Sequence, residues 1–417
     1  MNENTPLRIG LIGFGCVGQG FYDIVRQQPE LNLVVARIAV KTPEKPRPLP
    51  AAHFTYHADE LLADTTLDVL VEVIDDAAEA FRLVSAALRQ GRRVATANKA
   101  MLAQHLPELV QLQAQFGGTM LYEAAVCGSI PVVRTLDQYF SHEPLRAVSG
   151  IFNGSSNYVL TRMSEEGSDY AAALAEAQLQ GFAETDPALD MGAFDPRSKA
   201  VILAAHAYGT FLETDAVLNL GIEGISAVDI AYATAQGQKI KVVASLSRLP
   251  NGHLTALVTP QLVGPESPLY GVEREFNGVV LDAAFAGKQF LQGRGAGGHP
   301  TGSAVLADVL ALRRGLRYQY AKQSARPEAQ LTQGLELDAY VSHPDAGVLR
   351  EVLTWLELPA EALRLTEAGG AYATGPVAVQ QLWAWRQELR ANGVFVARAG
   401  EARVAAPVAE AEAAVRA

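Results

Sequence analysis

Residues 7–18 read Leu7-Arg8-Ile9-Gly10-Leu11-Ile12-Gly13-Phe14-Gly15-Cys16-Val17-Gly18, and this stretch decides the fold of the first part of the chain. Leu7–Ile12 is a short apolar run of the kind that fills a buried parallel strand. It runs straight into Gly-x-Gly-x-x-Gly. Between a strand and a helix, the first glycine of that pattern permits a tight turn and the second lets the backbone approach a pyrophosphate. The third lets helix and strand pack closely. The helix start then offers free amides and partial positive charge to the phosphates. Gly13, Phe14, Gly15, Cys16, Val17 and Gly18 are therefore the candidate nucleotide cradle, in which Cys16 needs only to be small.

Outward from this stretch the pattern repeats. A second β run spans 33–40, and prolines at 43, 46, 48 and 50 make 42–50 an exposed irregular loop. A helix at 19–28, apolar segments at 68–74 and 92–96, and helical stretches at 76–90 and 103–115 complete an alternation that predicts a doubly wound, Rossmann-like sheet. From about 147 the texture changes to α+β, with strands at 147–152, 240–247, 254–259 and 278–283. Helices at 155–165, 169–180, 195–208 and 301–315 lie among them. The last of these follows a glycine-rich run (293–303) and is expected to return to the first domain. After about 330 the order strand 334–342, helix 346–357, strand 362–367, strand 371–374, helix 376–391, strand 393–398 predicts a ferredoxin-like βαββαβ module. The tail from 401 reads as frayed or loosely helical.

Composition narrows the function. The 417 residues, 49% hydrophobic and 19% charged, suit two or three globular domains. Lys and Arg number 34 against 45 Asp and Glu, a net charge of −11 that disfavours nucleic acid and anionic membrane as partners. No apolar run reaches the roughly 18 residues of a membrane span, and the start lacks a signal-peptide pattern, so a cytoplasmic protein is expected. Cys16 and Cys127 are too few for a disulfide framework or structural zinc, and Cys127 reads as inert.

At the end of the second strand, an Asp or Glu would bind the ribose of NAD. The chain has Val40-Lys41 instead, with Lys45 and Arg47 following. A cation suits a 2′-phosphate, which leans toward NADP; a solvated loop lysine is the plain alternative. The densest polar cluster is Glu184-Thr-Asp186-Pro-Ala-Leu-Asp190-Met-Gly-Ala-Phe-Asp195-Pro-Arg-Ser-Lys199. Asp195-Pro196 reads as an N-cap and first helical position. Lys199 falls one turn inside an apolar helix, where desolvation lowers a lysine pKa and makes it a usable proton donor and acceptor. A bare cap and ion pair is the alternative; the acids just upstream, suited to a substrate ammonium, favour a site. His206 reads as a core or partner-bonded histidine.

These strings combine with Thr96-Ala-Asn-Lys99, Glu123-Ala-Ala-Val-Cys-Gly-Ser-Ile-Pro131, Gly150-Ile-Phe-Asn-Gly-Ser-Ser-Asn-Tyr158 and Gly293-Arg-Gly-Ala-Gly-Gly-His-Pro-Thr301. In that order they resemble the homoserine dehydrogenase family over almost the whole chain. The resemblance implies NAD(P)-dependent reversible reduction of L-aspartate 4-semialdehyde to L-homoserine, in threonine, methionine and isoleucine biosynthesis. It implies Lys199 as the catalytic lysine with Asp195 beside it, Glu184 and Asp190 as substrate-holding acids, and Gly154 and Ser155 as a substrate-side loop. Phe182 stands near the substrate where tyrosine is common. Thr96, Lys99 and Gly297 are implied as cofactor contacts besides Lys41. Glu123, with the carbonyls of Val126, Gly128 and Ile130, is similar to a monovalent cation site, usually sodium.

The implied domains are 1–146 for the dinucleotide, completed by helix 301–315; 147–300 for substrate and dimerisation; and an ACT-like regulatory module at 330–400 with an amino-acid effector. A homodimer or homotetramer is implied. Asp75-Asp76, Cys127 and Gly192-Ala193 depart from the family's glycines, and Pro344-Asp-Ala-Gly347 departs from its regulatory turn. Two other readings stay open: a dehydrogenase of another amino-acid-derived carbonyl and, favoured by Asp75-Asp76, a non-catalytic nucleotide- and amino-acid-sensing paralogue.

Overall fold

The computed structural model describes residues 5–325, 329–367, 369–400 and 402–404. The chain divides into two units. The first comprises Met1–Leu145, Ser198–Thr214 and Ala283–Glu328; the second comprises Arg146–Arg197, Asp215–Asp282 and Ala329–Ala417. Among the described residues no helix is long and apolar enough to cross a membrane.

The first unit is built on six parallel strands: β1 (Leu7–Ile12), β2 (Leu33–Ala39), β3 (Phe54–Thr55), β4 (Val69–Glu72), β5 (Arg93–Thr96) and β6 (Thr119–Leu121). Their order is β3-β2-β1-β4-β5-β6. The chain winds outward in opposite directions from β1 and β4, so the crevice for a ligand opens at the carboxyl ends of these strands. The helices are α1 (Cys16–Gln27), α2 (Asp59–Ala63), α3 (Ala77–Arg89), α4 (Lys99–Phe116) and the short α5 (Val132–Arg134). The hydrophobic pattern placed the first helix at 19–28, but α1 starts at Cys16, where Gln19 N–H already bonds to Gly15 O. Helix α4 likewise starts four residues before the expected 103, because the Asn98 side chain caps it by accepting from Met101 N–H.

The first unit also takes β12 (Gly287–Arg294), α11 (Gly298–Arg313) and α12 (Ala321–Ala325). Helix α11 lies backbone to backbone on α1. A Cβ on Gly20 would stand 2.2 Å from Gly298 O, and one on Gly302 would stand 2.6 Å from Phe21 N. Gly298 and Gly302 of the 293–303 run are thus what this close approach requires.

The second unit opens with β7 (Leu145–Ile151), α6 (Gly154–Glu166), α7 (Tyr170–Leu179) and α8 (Ala188–Met191). Helix α9 (Phe194–Tyr208) begins in this unit and continues into the first. Beyond it come β8 (Leu218–Asn219), α10 (Ala227–Ala235), β9 (Lys239–Arg248), β10 (Leu254–Val263) and β11 (Phe276–Ala283). The C-terminal part adds β13 (Leu335–His343), α13 (Ala346–Trp355), β14 (Arg364–Leu365), β15 (Ala371–Ala378), α14 (Val379–Ala391), β16 (Phe395–Arg398) and β17 (Arg403–Val404).

The strands of the second unit run β11-β7-β9-β10-β16-β13-β15-β14. The four strands β16-β13-β15-β14 pair antiparallel, the arrangement a βαββαβ chain adopts. The segment expected as a third module joins the sheet of the second unit, since β16 pairs with β10 (Gln261 opposite Arg398). Leu218, Leu220 and Leu257 also share one core with Leu337, Val341, Leu349 and Leu382. A common sheet and a common core make this segment part of the second unit. The tail expectation is corrected at Arg403–Val404, which pairs with Leu335–Glu336 as a strand. Residues 401 and 405–417 lie outside the described residues.

Candidate active site

In the first unit the structure gathers the predicted cradle at one place. Gly13 has φ +102°, and a Cβ there would stand 2.8 Å from Val73 O. A Cβ on Gly18 would stand 2.4 Å from Gly13 O, so both glycines are obligatory. Gly15 is exposed, with open space where a side chain would project. It caps α1 without a side-chain bond, and no acid stands in the first turn. Cys16 is exposed and Val17 half-buried, whereas Phe14 turns inward against Tyr22 and Phe54.

The start of α11 meets this loop. A Cβ on Gly298 would stand 2.8 Å from Cys16 O, and Gly297, with φ +118°, caps α11. Two helix N-termini therefore converge beside an open glycine turn, a setting that attracts the paired phosphates of a dinucleotide.

Around the crevice, Thr96 is buried and its hydroxyl donates to Glu72 Oε2, while Glu72 Oε1 accepts from Ile74 N–H. Burial lifts the Glu72 carboxyl to about 7. Asn98 N–H bonds to Thr96 Oγ1 and Asn98 Nδ2 donates to Ile74 O, which closes a ring between the loops after β4 and β5. Lys99 is half-buried at the first position of α4. Asp76 caps α3 by accepting from Glu79 N–H, which gives one of the two unusual aspartates a structural task. Lys41 is exposed. The Arg47 guanidinium donates to Lys45 O and Thr42 O and lies 5.3 Å from the centroid of Phe54, the ring that packs on Phe14.

In the second unit one residue organises the acids. Asn153 caps α6, its Oδ1 accepting from Ser156 N–H. Its Nδ2 donates to Asp190 Oδ1 at 2.7 Å and to Asp195 Oδ2 at 2.9 Å. Gly154 follows, where a Cβ would stand 2.5 Å from Glu275 O. Ser155 Oγ donates to Phe182 O, and the Phe182 ring leans on Tyr158. Glu184 stands apart from this clasp: its side chain is exposed, and its carbonyl accepts from Gln178.

Asp195 is not the N-cap the sequence suggested. It lies inside the first turn of α9, after Phe194, because Ala193 adopts φ +60° and turns the chain into the helix one residue earlier. Gly192 keeps φ −80°, but a Cβ on it would stand 2.7 Å from Ala188 O, so its glycine serves close packing rather than the turn. Asp195 and Lys199, four residues on along α9, are 5% and 7% exposed.

Glu123 accepts from the N–H groups of Val133 and Arg134, and its own N–H donates to Asp308. Arg134 donates to Asp308 Oδ1 at 2.6 Å. Burial, then the Asp308 charge, lifts Glu123 to about 8; burial lifts Asp308 to about 7. Two buried acids thus share one guanidinium. Val126 and Ile130 are buried nearby in sequence, and Cys127 and Gly128 both have φ +55°. Cys127 thus holds a left-handed turn that glycine adopts at less cost. His206 is held between Tyr122 OH and Asp137 Oδ1 in the core of the first unit.

Sequence reasoning missed Asn153 and Glu72. Asn153 carried a signal in its Asn-x-x-Ser spacing ahead of a helix, and Glu72 in being the acid of an otherwise apolar strand.

Comparison with known proteins agrees with this layout. A family model described as the homoserine dehydrogenase NAD binding domain matches residues 13–123, and one described as homoserine dehydrogenase matches 131–310. A homoserine dehydrogenase of Mycobacterium bovis is 36% identical over 323 residues, covering 75% of this chain and 73% of the relative. One from Corynebacterium glutamicum is 38% identical over 325 residues, covering 74% and 72%. The crystal structure of a homoserine dehydrogenase from Thiobacillus denitrificans superposes with TM-score 0.81 at 25% identity, covering 95% of this chain and 99% of that one.

Proposed function

The chain belongs to the homoserine dehydrogenase family, and from that premise we propose how its residues divide the work. The reaction is the reversible, nicotinamide-dependent reduction of L-aspartate 4-semialdehyde to L-homoserine, at a CH–OH carbon. When bound, the nicotinamide supplies a hydride to the aldehyde carbon, or takes it from the carbinol. Lys199, as an ammonium, faces the oxygen that gains charge and delivers its proton; in the reverse direction it removes the hydroxyl proton. Asp195 orients Lys199. Asp190 and Glu184 receive the substrate's polar ends, with Gly154, Ser155 and Phe182 forming the loop beside them. Asn153 is a positioning residue.

The observation that carries this reading is the clasp itself, one amide group holding Asp190 and Asp195 together. Oxidation of homoserine, followed by nicotinamide absorbance with each cofactor, tests it. A chain that binds homoserine without producing reduced cofactor is the sensing paralogue instead.

Gly13, Gly15, Gly18 and Gly297 suit the dinucleotide, with the amides of α1 and α11 on its phosphates and Thr96 and Lys99 along the crevice. For the ribose end we favour NADP: Lys41 and Arg47 offer cations, and Arg47 is already fixed beside the cradle through Phe54 and Phe14. NAD remains the second reading, in which Lys41 is only solvated.

An oxygen-only set of Glu123 with the Val126, Gly128 and Ile130 carbonyls suits a hard monovalent cation such as sodium, which would offset the surplus of buried acid. The ferredoxin-like strand order at the C-terminus supports a regulatory, ACT-like role for that segment with an amino-acid effector, and family habit supports a homodimer or homotetramer in the cytoplasm. Light scattering of the purified chain, with and without candidate amino acids, checks the oligomer.

A further inference from the structure

A cleft in the second unit takes no part in this chemistry. It lies between the turn at 220–224 and the end of α14, and Arg386, Arg390 and Glu223 stand on its walls. Its enclosed space is only about 20 Å³, room for a water molecule, and the rest opens to solvent. A ligand would therefore meet the arginines at the open rim, with most of its body in water.

The charge around the cleft is unbalanced. Arg390 Nε lies 3.2 Å from Glu223 Oε1. Arg197 and Arg390 both lie over the Phe194 ring, 5.0 and 4.7 Å from its centroid. Burial, and then the charges of Arg390 and Arg386, lower the Arg197 pKa, so the three guanidiniums feel one another. Arg197 has an exposed partner in Asp215. Arg386 lies over the Trp383 ring and donates to Trp383 O, and among the described residues it has no carboxylate at ion-pair distance. A guanidinium fork left over in a cleft is matched by a planar or tetrahedral oxyanion, which accepts two parallel bonds from it.

We propose that this cleft binds a small molecule with a carboxylate or phosphate head group, held by Arg386 and Arg390, and that its occupancy is felt at the substrate acids. The connection is Arg390. It donates to Gly192 O at 3.2 Å, where Asn219 Nδ2 also donates, and Gly192 lies between Asp190 and Asp195. An oxyanion competes with Glu223 and Gly192 for the donors of that one guanidinium. Binding in the cleft therefore moves the Gly192–Phe194 segment and changes the KM for homoserine more than kcat. By linkage, homoserine changes oxyanion affinity by the same factor.

Calorimetry on the full chain tests this with potassium phosphate and potassium acetate as probes, against potassium chloride at equal ionic strength. Saturable binding of phosphate, acetate or both supports the proposal, and the pattern identifies the head group. Arg386→Gln should weaken that binding about tenfold. It should leave the oxyanion-free KM for homoserine unchanged and abolish the oxyanion's effect on KM. Glu223→Gln, which removes the internal competitor for Arg390, should tighten binding severalfold, and it stands as the second variant should Arg386→Gln fold poorly. Neither probe binding beyond chloride, or equal binding by both variants and the parent, overturns the proposal. A bound probe that leaves KM untouched overturns the coupling. Heat of binding is read without turnover, so failure here is separable from failure of the catalytic assignment.

Discussion

The side-chain amide of Asn153 donates to Asp195 Oδ2 at 2.9 Å while its carbonyl oxygen caps α6 through Ser156 N–H. One side chain thus fixes a helix start and two acids at once. Asn153→Ala is expected to lose the cap, at about 1 kcal/mol of stability, and to raise the KM for homoserine through Asp190. Asn153→Asp keeps a capping oxygen but sets a third carboxylate against Asp190 and Asp195. It should melt below the parent, because three carboxylates then crowd one buried site, and lose more activity than the alanine variant. Equal activity in the two variants would remove Asn153 from the positioning role.

Lys199→Ala should lower kcat by about 10²–10⁴, the usual worth of a positioned general acid. Binding of reduced cofactor, followed by its fluorescence, should change little, because the cradle residues are in other elements. Full turnover in this variant assigns the proton to another group.

Glu72 is 1% exposed and its carboxyl is lifted from 4.5 to about 7 by burial. A raised carboxyl stabilises the fold below its unfolded value, and that contribution is lost as pH rises through the folded one. Glu72→Gln resembles the protonated acid, so it should match the parent near pH 4.5 and become the more stable protein above pH 7, by roughly 3 kcal/mol. Denaturant melts of both proteins across this range check it. A gap that does not grow with pH means the carboxyl ionises normally. Glu123 and Asp308 titrate in the same direction in both proteins and cancel in the difference.

Arg47→Ala should weaken NADPH about tenfold and leave NADH nearly unaffected. An equal loss for both cofactors would place Arg47 in loop packing against Phe54 rather than at the 2′-phosphate.

Much of the first unit was legible because its signals are local. The alternation of apolar runs and helical stretches marks strands and helices, and Gly13, Gly15 and Gly18 mark a turn that only glycine makes. The boundaries failed where a cap overrode periodicity: Asn98 starts α4 and Ala193 turns into α9 earlier than the apolar pattern suggested. The short strands β3 and β6 escaped for the opposite reason. Two or three residues carry no period, and they exist because a neighbouring edge offers them partners.

By itself the sequence determined the doubly wound order of elements, the glycine cradle, the position of Lys199 within a buried helix, and a set of acids just before it. Each follows from side-chain period or from the steric needs of a few adjacent residues. Only the tertiary structure decided that Asn153 gathers Asp190 and Asp195, that the start of α11 meets the start of α1, and that the C-terminal strands extend the sheet of the second unit. Those relations join residues tens to hundreds of positions apart. Hydrogen-bond reach and close packing select such partners, and neither leaves a trace in local composition.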